Sequence, residues 1–178
     1  MCYALAWLVL KPYFGRSPIG LVRTFDIQPY VGALPIRFGM TRAEVHALLG
    51  APDDSSPPTR WSGICDWWEE YCLNLGFDEK ETVAHFGFSP GNYGLLLCGS
   101  PLWSASEHPD PNPSLLRLDP NPIETLGFLM FDQLGVSTCG FHDDDRAQRG
   151  LTLYPRDAND KFLEKGKVPY LRRYRSEG

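Results

Sequence analysis

Residues 40–52, Met-Thr-Arg-Ala-Glu-Val-His-Ala-Leu-Leu-Gly-Ala-Pro, carry the strongest structural signal in the sequence. Thr41 and Glu44 have the Thr-x-x-Glu spacing of a capping box, in which each side chain accepts a backbone N–H at the start of a helix. Apolar side chains follow at the spacing of one buried helical stripe: Val45, Leu48 and Leu49. Gly50 and the proline two residues later end the pattern. The stretch predicts an α-helix over Arg42–Leu49.

Alternating apolar residues after this helix predict an antiparallel meander. Residues 71–77 are apolar at every second position, and residues 82–88 return with a similar pattern, which is typical of strands with one buried face. The polar residues 78–81 suit a hairpin turn between them. An earlier strand is expected over residues 64–69, after a loop at residues 53–59.

The second half is expected to repeat the order of a helix followed by strands. Asn121 suits an N-cap and Pro122 suits the first helical position. Because the apolar residues that follow have helical spacing, a second helix is predicted over residues 121–130, although Gly127 is unfavourable within a helix. Strands are predicted over residues 135–141 and 151–154.

These elements place the chain in the α+β class, with helices packed on an antiparallel sheet and two tandem helix-plus-β-meander units. We expect the parts to form one compact domain overall. They are an N-terminal appendage at residues 1–20, a first unit at 21–100, a Pro-rich connection at 101–118, a second unit at 119–160 and a basic tail at 161–178.

Composition and charge argue against several classes of function. The chain has 178 residues, of which 43% are hydrophobic and 13% aromatic, so it is not expected to be disordered. Its longest apolar run, residues 4–10, is far below the ~20 residues that a membrane-spanning helix needs. The net charge of −5 argues against nucleic acid as a partner. Residues 161–178 carry a charge of +4, so the remainder is strongly acidic, which attracts basic partners or simply maintains solubility.

The sequence contains no pattern typical of a catalytic or cofactor site. A nucleophile elbow, a phosphate-binding loop and a dinucleotide fingerprint are all missing. We therefore expect no enzymatic activity, cofactor, metal or small-molecule substrate. The five cysteines lack Cys-x-x-Cys spacing and are expected to be free thiols, with a Cys65–Cys72 bridge as the alternative in an exported protein. His46 is expected at the edge of the helical stripe, and His85 is expected to face solvent.

Two polar patches are candidate protein interfaces. The first combines tryptophan, which provides a large anchor, with carboxylates that pair with Lys or Arg of a partner: Asp66, Trp67, Trp68, Glu69 and Glu70. The alternative places Trp67 in the core and Trp68 under the Pro57–Pro58 loop. The second patch is either a solvated acidic turn or a loop that docks on a basic protein: His142, Asp143, Asp144 and Asp145. Adjacent side chains on a turn splay apart, so this patch is not expected to bind a metal.

Residues 36–52 resemble the Gly-Met-Thr-x-x-x-Val-x-x-Leu-Leu-Gly-x-Pro signature of small lipoproteins of the outer-membrane assembly machinery. That signature is in turn similar to repeats of the β-lactamase-inhibitor protein. The resemblance covers residues 34–88 and implies a helical segment packed on an antiparallel sheet. The whole chain also resembles bacterial immunity proteins of polymorphic-toxin or contact-dependent secretion systems. Many of these share the Phe-Gly-Met-Thr-Arg-x-Glu-Val start, and some have a Leu-Gly-rich second half like residues 125–129 and 134–137.

The immunity resemblance implies a protein that binds and neutralises a cognate secreted toxin by occlusion, with a basic nuclease as one candidate partner. It supplies no catalytic residues. Because the sequence shows no lipobox or export signal, a cytoplasmic location and the immunity function are favoured over an envelope scaffold or lipoprotein-like adaptor. The third hypothesis is a hydrolase that uses His142 and neighbouring carboxylates.

Overall fold

The computed structural model describes residues 24–58, 63–125, 127–142, 145–156, 158 and 172–173. The predicted appendage and most of the predicted basic tail lie outside these residues. The helices are α1 (Arg42–Leu49) and α2 (Asn112–Leu118). The strands are β1 (Thr24–Gln28), β2 (Gly32–Leu34), β3 (Ile36–Arg37), β4 (Asp54–Ser56), β5 (Cys65–Trp68), β6 (Leu73–Phe77), β7 (Val83–Phe88), β8 (Gly94–Leu97), β9 (Ser100–Trp103), β10 (Ile123–Thr125), β11 (Phe128–Phe131), β12 (Val136–Cys139), β13 (Gly150–Leu153) and β14 (Arg172–Arg173).

The strands form two sheets, so the fold is α+β and dominated by β-structure. One sheet has five strands in the order β3-β2-β1-β8-β9, and the other has nine in the order β14-β10-β11-β12-β13-β7-β6-β5-β4. Pairing is antiparallel between the described strands except where β1 meets β8. Neither helix in the described part of the chain combines the length and apolarity needed to cross a bilayer.

The nine-stranded sheet contains two four-stranded meanders, each preceded by a helix. The first helix, α1, is followed by β4 to β7, and α2 is followed by β10 to β13. The last strands of the two meanders pair antiparallel, with Leu151 opposite Phe88 and Leu153 opposite Phe86. The two halves of the chain therefore share one continuous sheet.

One face of this sheet, which we call the inner face, supplies much of the core. Its alternate residues on three neighbouring strands are almost completely buried: Leu73, Leu75, Phe86, Phe88, Leu151 and Leu153. They belong to one hydrophobic cluster with Phe25 of the five-stranded sheet and with Val45 and Leu115 of the two helices. The ring centroids of Phe25 and Phe88 lie 5.4 Å apart, and this contact joins the two sheets. The residues between the buried positions point to the opposite, outer face.

Helix α1 confirms the prediction from its sequence. Glu44 Oε2 accepts the Thr41 N–H at 2.7 Å, and Thr41 Oγ1 accepts the Glu44 N–H at 3.3 Å, which completes the capping box. The hydrogen bonds from the Thr41 side chain and backbone lower the pKa of Glu44. Val45 and Leu49 are buried, and Gly50 ends the helix with a φ of +81°. Local chemistry and core packing agree here, which explains why the prediction succeeded.

The predicted second helix at residues 121–130 is wrong. This stretch forms the β10–β11 hairpin, with Ile123 opposite Met130. Gly127 lies between the two strands with a φ of +84°, a conformation that favours glycine and interrupts a helix. The second helix instead begins at Asn112, and Pro113 occupies its first turn, where a missing N–H costs nothing.

Other boundaries also differ from expectation. The predicted loop at residues 53–59 contains β4, and the predicted Pro-rich connection at 101–118 contains most of β9 and all of α2. Polar residues form β4 because it is the last strand of its sheet among the described residues, so burial does not select its composition. The predicted strands at 64–69, 71–77, 82–88, 135–141 and 151–154 are confirmed as β5, β6, β7, β12 and β13, with shifted ends.

Truncation of Leu151 tests the junction between the meanders. Leu151 is 1% exposed and pairs with Phe88 across the β7–β13 seam. We expect Leu151→Ala to lower the free energy of unfolding by about 2–5 kcal/mol, because it removes buried methyl groups and leaves a cavity. Chemical denaturation followed by circular dichroism and tryptophan fluorescence measures this, and both signals should change in one transition.

Leu118→Ala is the matched control, because Leu118 is 53% exposed and should change stability by less than about 0.5 kcal/mol. Equal effects of the two substitutions would contradict the buried position of Leu151.

Candidate functional site

The alternation of side chains along β5 divides the predicted acidic–aromatic patch between two faces of the sheet. Asp66 and Trp68 point to the inner face and are 0% and 1% exposed. Trp67 points to the outer face and is half-buried, whereas Glu69 and Glu70 are exposed on the 3-10 turn that follows β5. The expectation that all five residues form one accessible surface is therefore wrong for Asp66 and Trp68.

Asp66 joins β5 to helix α1 through a network of hydrogen bonds. Its carboxylate accepts hydrogen bonds from Nε and Nη2 of Arg42, each at 2.8 Å, and one of its oxygens lies 2.7 Å from His46 Nε2. Arg42 and His46 are four residues apart, which places them on the same side of α1. Burial alone would raise the pKa of Asp66, but hydrogen bonds from Arg42, His46 and Ser55 outweigh it and hold the pKa below its usual value. The network has a structural role that sequence patterns did not reveal.

Trp68 also contacts α1 and the residue that ends it. Its indole Nε1 donates to Gly50 O at 3.2 Å, and the ring lies edge-on to His46 with centroids 5.9 Å apart. The alternative with Trp67 in the core and Trp68 under the Pro57–Pro58 loop is therefore wrong, since Trp68 is the core residue. Trp67 is left as the aromatic side chain of β5 that a partner can reach.

Four exposed carboxylates surround the start of β4, and we call them the acidic edge: Asp53, Asp54, Glu69 and Glu70. Backbone contacts hold them together. The Asp53 N–H donates to Trp67 O at 2.7 Å, the Glu69 N–H donates to Asp53 Oδ2 at 2.9 Å, and Asp54 lies opposite Trp67 in the sheet register. Sequence reasoning found the two glutamates but missed the two aspartates, because it placed them in a loop.

The acidic edge is poorly suited to pairing with a strand of another protein. Asp54 Oδ1 accepts the Ser55 N–H at 2.8 Å, and charged side chains on an edge strand oppose strand addition. A partner at this edge would therefore be bound through side chains.

The surrounding part of the chain reinforces the negative charge. Residues 24–58 and 63–100 contain ten Asp or Glu and three Lys or Arg, a net charge of −7. One of the three cations, Arg42, is engaged with buried Asp66. Such a surface attracts basic molecules and accelerates their association.

The second predicted patch is only partly described. Asp143 and Asp144 lie outside the described residues, and His142 is half-buried. Asp145 caps the 3-10 turn Arg146–Gln148, because its carboxylate accepts the Ala147 N–H at 3.2 Å and the Gln148 side-chain amide at 2.7 Å. The Asp145 carboxylate therefore has a structural role in shaping this loop.

The structure brings both patches to the same end of the nine-stranded sheet, which we call the loop end. The acidic edge lies at the start of β4 and the end of β5, and the loop of His142 and Asp145 joins the end of β12 to the start of β13. Because Trp68, Leu73, Phe88 and Leu151 lie in one row across the sheet, both loops project beyond that row. Three strand spacings separate β5 from β13, or about 14 Å. This proximity was not predictable without the β7–β13 pairing.

The outer face carries a pair of residues that the sequence did not predict. Cys65, Gly76 and His85 lie in one row across β5, β6 and β7. The His85 ring covers Gly76, where a Cβ would overlap it, and its Nε2 lies 3.8 Å from Cys65 Sγ. His85 lies on the outer face, opposite to Phe86 as expected, but it is half-buried and not fully exposed to solvent. Burial lowers its pKa, and burial together with the charge of Asp66 raises the pKa of Cys65.

Other potential sites are limited in the described residues. Cys65, Cys72, Cys98 and Cys139 are free thiols, so the predicted free state is confirmed for these four and the Cys65–Cys72 alternative is wrong. Within the described ranges, no three His, Cys, Asp or Glu side chains are arranged to hold a metal ion.

Comparisons with models of protein families, with characterised proteins and with solved structures find no match to this chain.

Neutralising Asp66 tests the network beneath the site. We expect Asp66→Asn to lower the free energy of unfolding by about 2–3 kcal/mol at pH 7, because Arg42 and His46 lose a buried carboxylate. The pKa of Asp66 is lowered in the folded state, so its contribution is present above its unfolded pKa of about 3.9 and is lost as the pH falls through the folded value. The stability difference should therefore shrink in acid.

Urea denaturation at pH 7 and at successively lower pH measures this difference. Asp54→Asn is the control, because Asp54 is exposed and asparagine retains the oxygen that accepts the Ser55 N–H. A pH-independent difference between Asp66→Asn and the unmodified protein would be inconsistent with a charged Asp66.

Proposed function

We propose that this protein is an immunity protein that binds a cognate secreted bacterial toxin and neutralises it by covering the toxin's active site. In this proposal the protein catalyses no reaction of its own and acts in the cytoplasm. The observation that carries it is the convergence of the acidic edge and the loop of His142 and Asp145 at the loop end of one sheet. Two separate parts of the sequence thereby contribute to one side of the molecule.

The chemistry of the loop end favours a basic partner. The carboxylates of the acidic edge are exposed and are suited to pair with Lys or Arg. Trp67, half-buried beside them on the outer face, is suited to serve as the aromatic anchor that many protein interfaces contain. A nuclease fits this requirement, because the surface of a nuclease that binds nucleic-acid phosphates is basic. Carboxylates of this protein could bind there in place of the phosphates.

The architecture supports the same proposal. We infer that the two helix-plus-meander segments are tandem units with the same architecture, as the resemblance to repeats of the β-lactamase-inhibitor protein implies. Each unit has one helix followed by four antiparallel strands, and the units meet through their last strands. A sheet of this width provides a broad, rigid base for loops that must cover another protein's cleft.

Coexpression tests the proposal directly. The product of the adjacent gene is expected to be toxic when expressed alone, to be harmless together with this protein, and to copurify with it. An adjacent product that is neither toxic nor bound would overturn the immunity function. Recovery of a stable complex with a non-toxic envelope protein would favour the scaffold or adaptor function instead.

A charge reversal at the loop end tests the interface. We expect Glu70→Lys to weaken binding of the toxin about tenfold or more, because it places like charges in contact. Isothermal titration calorimetry and the salt dependence of association measure the effect. Glu79→Lys is the matched control, because Glu79 is exposed in the β6–β7 turn at the opposite end of β6, about 16 Å away. Equal weakening by both variants would indicate a net-charge effect and would contradict the assigned interface.

A further inference from the structure

The row Cys65–Gly76–His85 combines a nucleophile with a potential base on the outer face. In the register of the sheet, Gly76 lies directly between the other two residues. Because glycine has no side chain, the imidazole can lie across β6, where a Cβ would overlap it. This arrangement places Nε2 at 3.8 Å from Sγ, a weak hydrogen-bond contact in which the thiol can act as the donor.

The environment keeps both groups uncharged near neutral pH. Burial disfavours the imidazolium and the thiolate, which lowers the pKa of His85 and raises that of Cys65. Asp66, on the inner face of the same strand, adds a negative charge that further disfavours the Cys65 thiolate. Gly76 of β6 and Ser56 of β4, which neighbour the pair in register, bring no charge. The resting pair is therefore a thiol beside a neutral imidazole that can accept its proton.

We propose that Cys65 is a site of covalent modification by small, uncharged, soft electrophiles, with His85 as the base that takes the thiol proton. Nucleophile and base within hydrogen-bond distance are the minimum arrangement for activating a thiol. The half-buried position of Cys65 favours small reagents, and it favours uncharged ones because partial burial penalises a charge.

Addition to an activated carbon–carbon double bond illustrates the reaction. As the Sγ–H proton moves to His85 Nε2, a sulfur electron pair forms an S–C bond to the electrophilic carbon. The π electrons of the double bond move to the neighbouring carbon, which then takes a proton from the imidazolium. The product is a neutral thioether, His85 returns to its starting state, and no oxidant or leaving group is needed.

The modified thiol would lie on the same face of β5 as Trp67, two residues along the strand. Modification would therefore change the surface next to the aromatic side chain without altering the buried network around Asp66. This assignment depends on the Cys65–His85 geometry and is independent of the immunity function.

N-ethylmaleimide is a suitable probe, with modification at each cysteine of the full-length protein followed by peptide mass spectrometry. Cys98 is an internal control, because it is exposed and lies on the other sheet, after β8. At pH 7 we expect His85→Gln to slow modification of Cys65 about tenfold or more and to leave the Cys98 rate unchanged. Gly76→Ala should also slow Cys65, because its Cβ displaces the imidazole while both reacting groups remain.

The pH dependence of the modification rate in the protein without substitutions provides a second test. A thiol that reacts without a neighbouring base is modified faster as the pH rises, because only its thiolate attacks. The Cys65 rate should instead level off once His85 has lost its proton, below its ordinary pKa of about 6.5. A Cys65 profile parallel to that of Cys98, or a Cys65 rate unchanged in folded His85→Gln, would overturn the proposal.

Discussion

The antiparallel pairing of β7 with β13 is the constraint on which the arrangement of the molecule depends. Two meanders that lie far apart in sequence become one sheet because the last strand of each lies beside the last strand of the other. Their inner faces then form a common core, and their loops share one end. Such non-local pairing cannot be read from local sequence patterns, since it depends on which strand edges meet.

The parts of the fold that the sequence predicted are those in which several local signals agree. In α1, the Thr41 capping box, the apolar stripe and Gly50 all favour the same helix, and the structure contains it. The second helix was misplaced because apolar spacing alone cannot distinguish a helix from a short hairpin. There, Gly127 was an unfavourable residue within the predicted helix, and it adopts a left-handed conformation between the two strands of the hairpin.

The candidate site shows a similar division. The sequence identified an unusual concentration of carboxylates and tryptophans, but strand alternation determines which of them a partner can reach. Asp66 and Trp68 turn inward, and Asp53 and Asp54 join the exposed group through an unpredicted edge strand. The Cys65–His85 contact was missed because its residues are 20 positions apart and meet only across Gly76. A glycine in a central strand is a usable signal, since it often marks the close approach of another group.

The link from Asp66 to Arg42 and His46 also bears on how the molecule moves. A helix of eight residues has little stability of its own, so its first and last turns would ordinarily open and close independently of the sheet. Here, the side chains of Arg42 and His46 converge on the buried carboxylate of Asp66 in β5. Opening of α1 would leave the Asp66 carboxylate buried without its hydrogen bonds from Arg42 and His46. Backbone amides of α1 should therefore exchange with solvent deuterium as slowly as those of β5, as one cooperative unit.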